Sequence, residues 1–358
     1  MSHMTSQKIV EKFEAAQNAL VLQASDLSLE TIAAMVDSAA IDVSPRYQRR
    51  DRWTGEAQAE LIESFLLNVP VPPVYLAEDD FGTYSVIDGK QRITAIHRFM
   101  REAFSLEGVK KFKEVEGLKF SNLPKQLQNA LNIRPYVRVV TLLKQTDPQL
   151  KYEVFTRLNT GGEPLNAQEI RNALYRGAFN DILFSLSEDE FLRQQLKIKT
   201  NKETPYSEMQ DVEAVLRFLC LSETWQQFEG DMRRSLDSYA AAHQLASKQK
   251  QTILRTRFAE AISRCEAIWG SNAFRRFEKG TMRDQFMSAM YDAQMIAMSE
   301  LSATQYKKIE TRKAAFLVGF MGLFKDQKFV DAIRVSTNSP SKVVYRITKI
   351  KELMAKFS

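Results

Sequence analysis

Three segments of the 358-residue chain carry side chains suited to phosphate chemistry. The densest is Asp88-Gly89-Lys90-Gln91-Arg92, which follows the β-branched run Val86-Ile87 and opens a helical pattern. A helix N-terminus presents amide donors with no intrahelical acceptor, and Lys90 and Arg92 add positive charge in the first turn. The segment therefore predicts a phosphate cradle in which Gly89 admits a ligand to the backbone. Three roles are open to Asp88: capping the helix, holding Mg²⁺ through a carboxylate oxygen, or orienting a water for attack on a phosphoryl group. The bland alternative is an N-cap aspartate ion-paired with Arg92.

The second segment, Pro45 to Trp53, packs Arg46, Arg49, Arg50 and Arg52 with Tyr47, Gln48 and Trp53 just ahead of a helix. Arginine forks bind phosphate bidentately and the aromatics offer stacking planes; a solvated basic loop anchored by Trp53 is the alternative. In the third, Phe155 to Leu165, a helix ends in Asn159-Thr160-Gly161-Gly162. Left-handed capping explains the two glycines and leaves Arg157 without a role.

These segments need particular elements to hold them. Apolar spacing after Ser28 predicts a capped helix over 28–37, and Thr54 opens another reaching Asn68. Pro70, Pro72 and Pro73 stop that helix; strand signals at 74–77 and 84–87 flank an acidic turn at 78–82, and a helix follows over 90–101. Val137 to Leu142 reads as a further strand, and 149–158 and 166–175 as helices. Beyond about 177 helical patterns dominate, at 211–221, 251–269, 281–298 and 309–324, with loops at 197–207 and 336–341 and a final basic helix ending near Lys356. The expected fold class is α+β: a first half with a small mixed sheet, spanning 5–176, followed by an all-helical domain over 177–358.

Composition removes several function classes. Cys220 and Cys265 lie far apart, so neither a disulfide framework nor a cysteine-rich zinc site is expected. Residues 1–4, Met-Ser-His-Met, read as an expression scar, leaving His97 and His243 as native histidines. No charged leader is evident, and the longest strongly apolar window, 314–324, is about half of what a bilayer requires; the expectation is a cytoplasmic protein without membrane contact. Charge is unevenly spread: residues 1–175 hold 21 basic and 22 acidic side chains, whereas 246–358 hold 21 and 10, an excess of 11. Such an excess suits a DNA face, with Arg275, Arg276, Lys307, Lys308, Arg312 and Lys313 as candidate contacts; solvated helix faces are the alternative.

Taken in order, Tyr47-Gln48-Arg49 with Trp53, Leu61-Ile62-Glu63-Ser64 leading into Val69-Pro70-Val71-Pro72, Ile87-Asp88-Gly89-Lys90-Gln91-Arg92, then Phe155, Asn159, Gly162, Leu165 and Glu169-Ile170-Arg171-Asn172, resemble the GmrSD restriction-endonuclease N-terminal domain family. That family is similar in fold to ParB and sulfiredoxin. The resemblance implies that 88–92 is its Asp-Gly-Gln-Gln-Arg motif, tied to nucleotide binding and hydrolysis in bacterial defence against phage with modified DNA. Lys90 stands where the family has its first Gln. Many relatives carry a histidine-dependent HNH nuclease domain; after residue 175 this chain has only His243, so none is expected here. No cysteine occupies the 88–92 junction, which sets sulfiredoxin-like chemistry aside.

The leading expectation is a nucleoside triphosphatase acting with Mg²⁺: Asp88 and Arg92 catalytic, Asp88 the metal ligand, and Gly89, Lys90, Gln91, Arg92, Arg49, Arg157 and Asn159 holding the nucleotide. Tyr47, Gln48 and Arg50 would contact DNA, including modified phage DNA. A rival is a non-enzymatic DNA-binding or regulatory subunit working with a separate nuclease partner. A weaker one is a nickase in which Asp88 shares a metal with Glu63 or Glu169. Homo-oligomerisation is open in each case.

Overall fold

A computed structural model describes residues 20–43, 53–134, 136–146, 148–158, 166–200 and 203–358, with scattered positions between 8 and 14. The chain divides into two compact units, 1–174 and 175–358.

The first unit is built on a five-stranded mixed sheet ordered β1-β5-β3-β4-β2, with β1 Leu22–Ser28, β2 Ile41–Asp42, β3 Val74–Asp80, β4 Thr83–Asp88 and β5 Tyr136–Leu142. β1 pairs with β5 and β3 with β4 antiparallel; β3 with β5 and β2 with β4 run parallel. Helices α1 Leu29–Asp37, α2 Gly55–Leu66, α3 Lys90–Met100 and α4 Lys125–Ile133 precede β5, and α5 Pro148–Leu158 and α6 Ala167–Leu174 follow it. The predicted caps form: Ser28 Oγ accepts from Thr31 N at 3.2 Å and Thr54 Oγ1 from Ala57 N at 3.3 Å. Asn68, at φ 57°, ends the run from α2 before the prolines.

Successive side chains of a strand face opposite ways, and both faces here are covered. Val74, Leu76 and Val86 join one apolar cluster with Ile62, Ile96 and Phe99, whereas Ala77 and Ile87 join another with Ile170 and Ala173. The end of β4 is thus held between helices on both sides.

The second unit is helical: α7 Ala178–Ser187, α8 Glu190–Gln195, α9 Thr204–Ser207, α10 Gln210–Thr224, α11 Met232–His243, α12 Lys248–Trp269, α13 Ser288–Ser299, α14 Ala303–Thr311, α15 Lys313–Leu323, α16 Gln327–Arg334 and α17 Pro340–Ala355. Every residue of α13 from Ala289 to Met298 is buried, the mark of a helix enclosed by others. Three expectations change. The unit is not all-helical: 281–298 is not one helix, because Lys279 and Gly280, at φ 49° and 85°, turn a small hairpin between β6 Phe277–Glu278 and β7 Thr281–Met282. The pattern over 309–324 breaks at Arg312, where no Gly or Pro marks the change. The loop at 197–207 holds the short α9, with Pro205 in its first turn. No described helix is long and apolar enough to cross a membrane.

Candidate functional site

Asp88 closes β4, and Gly89, not Asp88, is the N-cap of α3. Gly89 adopts φ 95°, and a Cβ there would lie 2.8 Å from Val74 Cγ2 and 3.0 Å from Arg92 Nη2. Its missing side chain therefore makes room for Arg92 and Val74. Arg92 folds back over this glycine and donates from Nη2 to Asp88 Oδ2 at 2.7 Å and to Pro73 O at 3.3 Å. The ion-paired half of the bland alternative is present, and its capping half is not.

The start of α3 is electropositive. Among the described residues no side chain caps it, and its first turn holds Lys90 and Arg92 without an acidic residue. Each cation there opposes the helix dipole by about 0.3–1 kcal/mol, a penalty an anion would reverse. The Lys90 ammonium is buried, and Arg92 Nε is buried with no hydrogen-bond partner among the described residues. Half-exposed Asp88, buried Gly89 and the partly buried Lys90, Gln91 and Arg92 form a junction that solvent reaches from one side.

Next to β4 lies α6, where Gln168, Glu169, Arg171 and Asn172 are all buried. Asn166 Oδ1 accepts from Gln168 N and Glu169 N, both at 2.9 Å, while Glu169 Oε2 accepts from Asn166 N at 2.8 Å, a reciprocal capping box. Gln168 Nε2 donates to Asn172 Oδ1 at 2.9 Å, and Arg171 Nη1 to Gln168 Oε1 at 3.1 Å. Sequence reasoning did not place Gln168, Arg171 and Asn172 in the site. The Asn166-x-x-Glu169 spacing was the available signal for an ordered polar helix start.

Glu63 belongs to a different task. It accepts from the backbone N–H groups of Lys110, Lys111 and Phe112 at 3.2, 2.6 and 2.7 Å. Burial resists its charge, but the three amides prevail and hold its carboxyl below the ordinary carboxylate range. With Glu63 closing a loop and Glu169 closing a helix start, neither serves the nickase alternative. Among the described residues no three His, Cys, Asp or Glu side chains gather as a metal site. Asp88 Oδ1, outside the ion pair, suits Mg²⁺ only where phosphate oxygens and water complete the shell.

Of the other predicted contacts, Arg157 is 77% exposed and pairs with Glu153 one turn back. Tyr47, Gln48, Arg49, Arg50 and Asn159 lie outside the described residues, as do Gly161, Gly162 and Leu165; Phe155 is described only in its backbone.

The comparisons with known proteins apply to this same unit. Residues 32–176 match the family model described as GmrSD restriction endonuclease, N-terminal domain. This segment is a GmrSD N-terminal domain. No curated protein and no solved structure matches the chain. The GmrSD domain therefore holds the sheet from β2 onward, the Asp88–Arg92 junction and the polar α6.

The candidate DNA contacts of the second unit separate into two groups. Arg275 pairs with Asp284 at 3.0 Å, and Arg276 is buried and pairs with Glu278 at 2.8 Å; both hold the β6–β7 hairpin and neither stands on an open face. Lys307, Lys308, Arg312 and Lys313 are exposed, with Lys307 paired to Glu310 and Lys313 donating to Ala267 O at 2.7 Å. His243 stacks on Tyr239 with ring centroids 3.9 Å apart.

Proposed function

We propose that the chain is a nucleotide-dependent component of a bacterial restriction system, acting against phage DNA, including modified DNA. The observation that carries this reading is the uncapped, electropositive start of α3 joined to an Asp88–Arg92 pair, inside a GmrSD N-terminal domain. The phosphates of a nucleoside triphosphate meet the first amides of α3, with Lys90 and Arg92 neutralising their charge. Arg92 is the exchangeable partner: its Nε is available, and an incoming phosphate competes with Asp88 for Nη2. Release of Asp88 frees a carboxylate to orient water towards the terminal phosphoryl group. Mg²⁺, held by Asp88 and the phosphates, would supply further charge neutralisation. Arg49, Gln91, Arg157 and Asn159 complete the nucleotide site, and Tyr47, Gln48 and Arg50 meet DNA.

The helical unit engages DNA through the exposed cations of α14 and α15, Lys307, Lys308, Arg312 and Lys313. The test is phosphate release from ATP, GTP, CTP and UTP with Mg²⁺, with and without DNA, beside Asp88→Ala. Turnover of one nucleotide that disappears in Asp88→Ala supports the proposal; no turnover under any condition rejects it. That second outcome leaves the DNA-binding subunit with a separate nuclease partner.

A further inference from the structure

The second unit contains a cleft of about 330 Å³ between the β6–β7 hairpin and helices α15 and α16. Arg276, Lys279, Lys325 and Arg334 face it against one carboxylate, Glu278. Glu278 is already engaged: its Oε2 accepts from Arg276 at 2.8 Å and Arg283 at 3.4 Å. Burial resists the charge of Glu278, but these arginines and Arg334 hold its carboxyl below the ordinary range. The cleft keeps a net positive charge after that pairing. Arg276 is 8% exposed, and its Nε is buried with no hydrogen-bond partner among the described residues. Arg276 reaches the wall of the cleft while most of its guanidinium is buried, which fixes its charge there.

Apart from Gln327, the rest of the lining is apolar and aromatic. Phe277 and Phe324, ring centroids 6.4 Å apart and tilted by 58°, are each partly exposed, beside Val330 and Ile333. A lining that combines cations with two phenyl rings matches a ligand that carries both a phosphate and a flat ring. The volume falls at the small end of ligand sites, room for a single unit and not for a duplex edge.

We infer that this cleft binds one unpaired nucleotide, its phosphate on Arg276, Lys325 and Arg334 and its base against Phe277 and Phe324. The inference specifies the DNA contact proposed above and rests on it only in taking nucleic acid as the partner. A displaced or terminal base of a DNA strand and a free nucleoside monophosphate share this chemistry.

The test uses the full chain and fluorescence anisotropy with a labelled single-stranded thymidine 10-mer and a labelled blunt duplex. Lys325→Glu with Arg334→Glu reverses two exposed charges and should weaken the single strand about tenfold or more while changing the duplex less than about twofold. Phe277→Leu removes the stacking plane and should weaken the single strand about fivefold with circular dichroism unchanged. Free dAMP should displace the 10-mer where equal inorganic phosphate does not. Equal losses for both DNA forms, an unaffected single strand, or displacement by phosphate alone would overturn the inference. A wild-type chain that binds single strand but no duplex keeps this site and removes the α14–α15 duplex face; one that binds only duplex does the reverse.

Discussion

Each unit of this protein contains an aspartate gripped by arginine, and the two pairs could hardly differ more in setting. In the helical unit Asp292, fully buried on α13, receives Arg217 Nε at 2.6 Å and Arg346 Nη2 at 2.7 Å, and Arg346 is itself fully buried. In the GmrSD domain Asp88 is 38% exposed, and among the described residues its arginine, Arg92, comes from the next turn of chain. A buried ion triad is closed to ligands, and removing its centre leaves two guanidinium groups uncompensated. The Asp88 carboxylate keeps contact with solvent whereas Arg92 is only 13% exposed, so under the proposed function the arginine leaves Asp88 only for another anion, which a phosphate would supply. Under the proposed function, identical side-chain chemistry serves architecture in one unit and exchange in the other, and access to solvent makes the difference.

The strongest way to break this comparison is to delete both aspartates. Asp292→Ala is expected to cost about 3–5 kcal/mol in urea unfolding, or to leave the helical unit unfolded. Asp88→Ala should cost less, about 1–2 kcal/mol, because its carboxylate is 38% exposed. Comparable losses would erase the distinction.

A second buried carboxylate sharpens it through pH. Burial pushes the Asp211 carboxyl up to about 6, although Arg193 Nε lies 3.8 Å away. Because the folded chain then holds this proton more tightly than the unfolded chain, stability falls as pH rises from about 4 through about 6 and is level above. Asp211→Asn should remove that slope, gaining up to about 3 kcal/mol over wild type at pH 7.5 and nothing at pH 3.5 in urea titrations. Gly89→Ala, forced into φ 95° against Val74, should cost about 1–2 kcal/mol and also displace Arg92, seen as weaker nucleotide binding. Thr54→Ala, which removes a helix cap that belongs to neither pair, should cost only about 1 kcal/mol and leave binding unchanged.

Local signals carried much of the GmrSD domain. Ser28 and Thr54 act through neighbours three residues away, and the strand-to-helix change at 87–90 follows from apolar period alone. β1 escaped notice because its edge position leaves most of its side chains exposed, without alternation. Glu63 looked like a spare carboxylate because its three amide donors lie 47 to 49 residues on. Arg275 read as a basic surface because Asp284 meets it only once the hairpin turns, and Arg276 because charge alone does not show that it is buried, although its partner Glu278 stands two residues on. In the site, the Asp88 and Arg92 partnership was legible from i, i+4 spacing; the part played by Gly89 was not, since Val74 reaches it from another strand.

The central claim is that Arg92 trades Asp88 for phosphate. Calorimetric titration of ATP and GTP with Mg²⁺ into wild type, Asp88→Asn and Arg92→Ala, with phosphate release measured on the same samples, tests it most directly. Arg92→Ala should weaken binding about tenfold or more, whereas Asp88→Asn should bind as well as wild type or better and release no phosphate. Undiminished binding by Arg92→Ala, or equal loss of binding in both variants, would contradict the account.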